Sequence, residues 1–316
     1  MDIDRSLTVL LIIKDRVPYT LRWMAYADKI CFPFKILVAD GGKDERVSEK
    51  LSKQANFPNA NYKYIQYPYD QTYSYLYAKM ADALSKVDTP FVAVTDDACF
   101  YIVNGLRRSI EFLYTHQDYS ACGGNIGSFS IWPDNNDGQL NPAHGEEVHF
   151  FSNMYRYQQL TGETAGTRVA SHFALFSPTY YDIHRIEQLG SCFNVLKEID
   201  LKDIFLAELL TSLLTICAGK GRRLDDLYML RQTKNRGSSA GDHRKKWGDE
   251  FDRMLLESWS DDFAKFEYAI ASAIRDKDGI SFDDARSQIK KGYRMHIAPS
   301  IVKLLLNQNA EVKQSV

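Results

Sequence analysis

Three short apolar runs, each broken off at charged residues, limit what this chain can become. Leu7–Ile13 ends in the triplet Lys14, Asp15, Arg16; Phe34–Ala39 ends in Asp40-Gly41-Gly42; Phe91–Thr95 runs straight into Asp96-Asp97. Short apolar, β-branched runs bounded by turn signals are the mark of strands buried on both faces. Between the second and third lies Tyr73–Val87, whose apolar positions Tyr73, Leu76, Tyr77, Met80, Ala81, Leu84 and Val87 repeat at helical spacing. Pro18 stands where a helix can begin, and Tyr62–Tyr67 reads as a further strand. Strand and helix alternating in this way predict an α/β fold, a mainly parallel sheet covered by helices. In such sheets ligands gather at the carboxyl ends of the strands. Asp15, Asp40 and Asp96-Asp97 all fall at that edge.

The rest of the chain is less regular. Residues Gly123–Gly166 are rich in Gly, Asn, Asp and Pro and read as long loops suited to an acceptor wall or lid. His172–Phe176 reads as a buried strand, Leu224–Leu230 as the last strand, and Ile204–Cys217 as a helix stopped near Gly219. Lys234–Lys246 is basic and Gly/Ser-bearing, and reads as a mobile loop. Beyond it Phe251–Leu256, Phe263–Ile274 and Ile301–Leu306 predict a helical C-terminal lobe. The expected division is a domain over residues 1–235, with a nucleotide-binding half (1–120) and an acceptor half (121–235). The basic loop and helical region follow over 236–316.

Charge and cysteine usage remove some function classes. The formal charge of −2 lacks the basic excess of a nucleic-acid binder. Cys31, Cys99, Cys122, Cys192 and Cys217 are odd in number and form no Cys-x-x-Cys pair, so neither a disulfide framework nor a structural zinc site is expected. No stretch has the length of apolar residues needed to span a bilayer, and a cytoplasmic protein is expected. Lys290-Lys291-Gly292-Tyr293-Arg294 has two readings, a peripheral contact with an anionic membrane face or the solvated edge of a packing helix.

The acidic groups suggest particular chemistry. Asp40 before two glycines is a turn signal, and at this sheet edge also an acceptor for a nucleobase N–H or a ribose hydroxyl. Asp96 and Asp97 repel each other, so a cation or dense hydrogen bonding must compensate. Mg²⁺ or Mn²⁺ would bridge such carboxylates to a diphosphate. His243, beside Arg244, Lys245 and Lys246, is either part of a solvated charge run or a ligand to metal or phosphate. His172 and His184 are read as structural. Glu208 lies off the apolar stripe of its helix, near Ile204, Thr211 and Thr215.

Thr8–Arg16 with Pro18, Ile36–Asp44 and Phe91–Asp97, followed by Leu106, resemble the nucleotide-binding half of glycosyltransferase family 2, inverting enzymes of GT-A fold. The resemblance covers roughly residues 7–235. It implies that Asp40 binds the nucleobase, with Asp15 and Arg16 beside it, and that Asp96 and Asp97 handle the ribose and a metal-bound diphosphate. The family's catalytic Asp stands eleven residues before a Gly, which puts Glu208 at the general-base position before Gly219, with Ala207 where the family has Glu. Three departures stand out. Ala98 ends the acidic motif, and the family's Arg-Asn pair falls near Met80-Ala81, leaving Lys79 as the nearest phosphate partner. The Gln-x-x-Arg-Trp motif of processive synthases is missing.

The resemblance therefore implies a non-processive, inverting glycosyltransferase with a divalent cation, Asp97 and His243 being the metal candidates. Its donor would be a UDP-linked sugar and its acceptor a saccharide or lipid-linked saccharide hydroxyl, in surface polysaccharide or glycoconjugate synthesis. A nucleotidyltransferase is disfavoured because Lys14–Tyr19 contains no glycine. A degenerate nucleotide-sugar-binding domain is the non-enzymatic alternative, suggested by Ala98.

Overall fold

The computed structural model describes residues 2–132, 143–145, 147–151, 158–233 and 239–314. The first half builds as its alternation dictates. Strand β1 (Leu7–Ile13), helix α1 (Val17–Lys29), β2 (Lys35–Asp40), α2 (Glu45–Leu51), β3 (Tyr62–Gln66), α3 (Tyr73–Ser85) and β4 (Phe91–Thr95) follow in turn. The strands β3-β2-β1-β4 lie side by side and parallel. Ile13 pairs Asp40, and Leu11 pairs Thr95, so the carboxyl ends of β2, β1 and β4 open at one edge with Asp40, the Lys14–Arg16 turn and Asp96-Asp97 together.

The second half completes a mixed sheet. After β5 (Cys99–Tyr101) and α4 (Val103–Thr115) come β6 (Tyr119–Trp132) and β7 (Glu147–Phe151). Then follow α5 (Ala165–Ala174), β8 (Ile183–Arg185), α6 (Ile186–Ile199), α7 (Ile204–Ala218) and β9 (Lys220–Gln232). β8 joins β4 antiparallel and carries β6, which pairs β9 in parallel; β5 closes the edge and β7 pairs β6. The C-terminal helices are α8 (Ser239–Trp247), α9 (Glu250–Met254), α10 (Glu257–Asp278) and α11 (Phe282–Gln314). One apolar core joins them to the sheet, with Phe266, Ile270, Ile289 and Tyr293 packing among Val169, Phe173, Leu206, Leu210 and Leu213.

Three sequence expectations are corrected. His172–Phe176 is not a strand, since most of it belongs to α5, whose buried residues Ala165, Arg168, Val169, His172 and Phe173 repeat at helical spacing. A short apolar run is ambiguous between strand and helix, and Thr164, capping the helix through the Thr167 N–H, resolves it. The glycines at 123, 124 and 127 do not mark a loop; they sit in β6, where a Cβ on Gly124 would lie 2.6 Å from the Asp226 carbonyl oxygen. Glycine in a strand here signals close backbone approach. The basic segment is a helix from Ser239 onward, and its first part, 234–238, lies outside the described residues. Lys290–Arg294 lies on α11, where Tyr293 is buried and the Lys290 ammonium lies 3.7 Å from Glu267. The cysteines are all free, and among the described residues no helix is long and apolar enough to cross a membrane.

Candidate active site

A cleft of about 520 Å³ opens at the carboxyl edge of the parallel strands. It is lined by Lys14 and Arg16 beyond β1, Asp70 in the loop after β3, Tyr73 and Lys79 of α3, and Asp96-Asp97 at the end of β4. Glu208 and Thr211 of α7 line it as well, as do Tyr180, Tyr181, Arg231 and Lys246.

The strand-end carboxylates divide into those that hold the loops and those that face the cleft. Asp40 is buried, accepting from the Gly42 N–H at 2.7 Å and the Tyr64 hydroxyl at 2.8 Å, and burial raises its pKa. Asp15 adopts a left-handed backbone (φ 52°) and accepts from the Lys43 N–H at 2.8 Å, tying the loop after β1 to the loop after β2. Gly42 is needed where these loops meet, because a Cβ there would lie 2.8 Å from the Asp15 nitrogen. Neither Asp15 nor Asp40 lines the cleft, whereas Asp96 does. Asp96 accepts from the Ala98 N–H at 2.8 Å and from the Tyr181 hydroxyl at 3.0 Å, and remains partly exposed.

Asp97 is almost wholly enclosed. The Arg16 guanidinium lies 3.2 Å from its Oδ1, and the Thr20 hydroxyl donates to Oδ2 at 3.2 Å. Burial pushes its carboxyl up to about 7, with Arg16 the largest opposing influence. Lys79 is similarly engaged. Its ammonium pairs with Asp70 and donates to the Ile13 carbonyl at 3.3 Å, inside the wall of the cleft. The phosphate partner expected at Lys79 is therefore a buried brace between α3, β1 and the loop after β3.

Glu208 projects from the fifth residue of α7. Burial raises its pKa, opposed by Arg231 and Arg244, and among the described residues no hydrogen bond or ion pair holds its carboxylate. A carboxylate with a raised pKa and unoccupied lone pairs is equipped to take a proton. The helix beneath it is fixed at its start. Asp203 caps α7 through the Phe205 and Leu206 N–H groups, and pairs with Arg253 at 2.7 Å. His243, expected at a metal or phosphate, lies 3.8 Å from Asp203 and packs against Phe205 and Tyr73. Burial lowers its pKa. It steadies α7 instead of pointing at the strand-end carboxylates. Among the described residues no three His, Cys, Asp or Glu side chains are grouped to hold a metal ion. His172 and His184 are wholly buried, and burial lowers them to about 3 and about 4, so both are neutral core groups.

No protein-family model matches the chain, and no curated protein matches it. Solved structures do. S. aureus TarS 1–349 in complex with UDP-GlcNAc superposes with a TM-score of 0.53 at 14% identity, covering 93% of this chain and 73% of that one. TarS 1–349 alone and TarS 1–349 in complex with UDP each match with a TM-score of 0.49, at 14% identity over 93% of this chain and 91% of theirs. The curled mixed sheet flanked by helices is thus a fold shared with TarS, in agreement with the α/β class expected from the sequence.

Several cleft residues escaped the sequence reading. Asp70 follows β3 at the same sheet edge and could have been found by the rule that picked out Asp40. Tyr180, Tyr181 and Arg231 reach the cleft from a loop and β9 and carry no local motif, whereas Lys246, which lines it from α8, belongs to the basic segment singled out in the sequence.

Proposed function

We propose that this chain is a glycosyltransferase that moves a sugar from a nucleotide-sugar to an acceptor hydroxyl with inversion. The observation that carries the reading is that Asp96, at the end of a parallel strand, lines the same cleft as Glu208, whose carboxylate has no hydrogen bond or ion pair among the described residues. The fold shared with TarS, solved in complex with UDP-GlcNAc, supports it.

In this reading Asp96 accepts from ribose hydroxyls while Asp40 and Asp15 shape the loops around the base. The acceptor hydroxyl lies beside Glu208, which takes its proton as the oxygen attacks the anomeric carbon. The bond from that carbon to the diphosphate oxygen breaks on the opposite face, and the nucleoside diphosphate leaves with the electron pair. Lys14, Arg16, Arg231 and Lys246 line the same cleft and offset the charge that grows on the leaving group. Most of the acceleration then comes from positioning and electrostatics, with no covalent intermediate.

Glu208→Gln tests the assignment. Loss of a general base costs about 10²–10⁴-fold in rate, while binding of the donor should be retained. Release of nucleoside diphosphate identifies glycosyl transfer and release of pyrophosphate identifies nucleotidyl transfer. Undiminished turnover by the Gln variant would remove Glu208 from the mechanism.

A further inference from the structure

The acidic motif at the end of β4 is where the family resemblance calls for a divalent cation, yet the residues there do not fit one. Ala98 offers no ligand, Asp97 has a guanidinium on one oxygen and a hydroxyl on the other, and His243 is turned to Asp203. We propose that Arg16, clamped by Asp97, takes the place of that cation, so that the donor's diphosphate is bound without metal.

Two guanidinium groups, Arg16 and Arg22, act on Asp97 against the one neighbouring carboxylate of Asp96. Arg16 stacks on the Tyr19 ring at 4.2 Å, and Arg22 lies 5.0 Å from the same ring and 5.1 Å from that of Phe100. Two guanidinium groups thus share one aromatic ring beside a single buried carboxylate. A divalent cation placed on Asp97 would sit against the Arg16 charge in a region of low dielectric, where like-charge repulsion is severe.

The same guanidinium is incompletely used. Nε and Nη2 of Arg16 are buried and have no hydrogen-bond acceptor among the described residues, although Arg16 lines the cleft. Unused donors on a buried cation are costly to leave unmade, and an anion entering the cleft would satisfy them. The planar fork suits two oxygens of a diphosphate, and the ring beneath and the carboxylate beside it hold that fork in place before the ligand arrives. Asp97 is then a positioning residue that acts through Arg16.

This inference rests on the nucleotide-sugar reading, and one experiment separates the two. UDP, GDP, CDP and ADP are titrated calorimetrically onto the full chain in EDTA and again in excess Mn²⁺, with wild type and Arg16→Gln. The expected result is a nucleoside diphosphate whose Kd in wild type changes by no more than about threefold between the buffers. Its Kd in Arg16→Gln should be weaker by at least about tenfold in both, as for loss of charge-assisted hydrogen bonds. A larger dependence of the wild type on Mn²⁺ overturns the proposal while leaving the donor reading intact, and needs no variant to be read. Unchanged affinity in folded Arg16→Gln overturns it as well. Failure of all four nucleotides in both buffers removes the donor reading and this inference together.

Discussion

The Nε of Arg253 donates to Oδ2 of Asp203 at 2.7 Å, and Oδ1 of the same carboxylate caps the helix that carries Glu208. One buried pair therefore links the C-terminal helices to the orientation of the proposed base. Arg253 also lies over the Phe205 ring at 4.4 Å, which fixes its guanidinium from a second side. Arg253→Ala leaves the Asp203 carboxylate buried without its guanidinium, held by the α7 N–H groups and with His243 at 3.8 Å, a change expected to cost about 3–5 kcal/mol. Urea denaturation measures this directly, and a loss below about 1 kcal/mol would show that the pair is not a structural tie.

Glu208 should reveal its raised pKa in both stability and rate. Its ordinary value is 4.5, and burial lifts it in the folded chain. The folded state thus holds the proton more tightly than the unfolded one. Stability from the neutral carboxyl is complete below about pH 4.5 and is lost as pH rises through the folded value. Glu208→Gln is accordingly expected to melt higher than wild type at pH 7.5, with the gain vanishing near pH 4. The acidic limb of the wild-type rate profile should lie above 4.5 for the same reason. Equal melting temperatures at pH 7.5 would contradict the burial of this group.

How much of this was visible in the chain beforehand varies with the physical origin of each feature. The limits read for β1 and β4 coincide with those of the structure, and α3 and α7 agree within two residues, because full burial between turn signals leaves a local trace. The α5 run did not, since four apolar residues after His172 fit either periodicity. The glycines of β6 reflect contact with β9, about a hundred residues away, which sequence spacing cannot express. The site divides along the same line. Asp96, Asp97, Arg16 and Glu208 meet in one cleft, but their partners are set by tertiary structure alone. Nothing local announces that Asp97 faces Arg16 and Thr20, that Lys79 serves Asp70, or that His243 turns to Asp203.

The Lys79–Asp70 pair offers a separate test. Both side chains are buried, so removing either alone strands a charge and should cost about 3–5 kcal/mol. Lys79→Met with Asp70→Leu should recover much of that loss, since a well-packed apolar pair replaces a desolvated ionic one. A double-mutant cycle by chemical denaturation gives the coupling, and strict additivity would show that the two residues act independently.

The most direct measurement is calorimetric titration of UDP-, GDP-, CDP- and ADP-sugars onto wild type, Asp96→Ala and Glu208→Gln. The expected outcome is that one nucleotide-sugar binds wild type and Glu208→Gln alike. Asp96→Ala should bind it at least about tenfold more weakly, the loss of charge-assisted hydrogen bonds to the ribose. Absence of binding by every nucleotide-sugar, or binding indifferent to Asp96, would show that the cleft at this sheet edge is not a donor site.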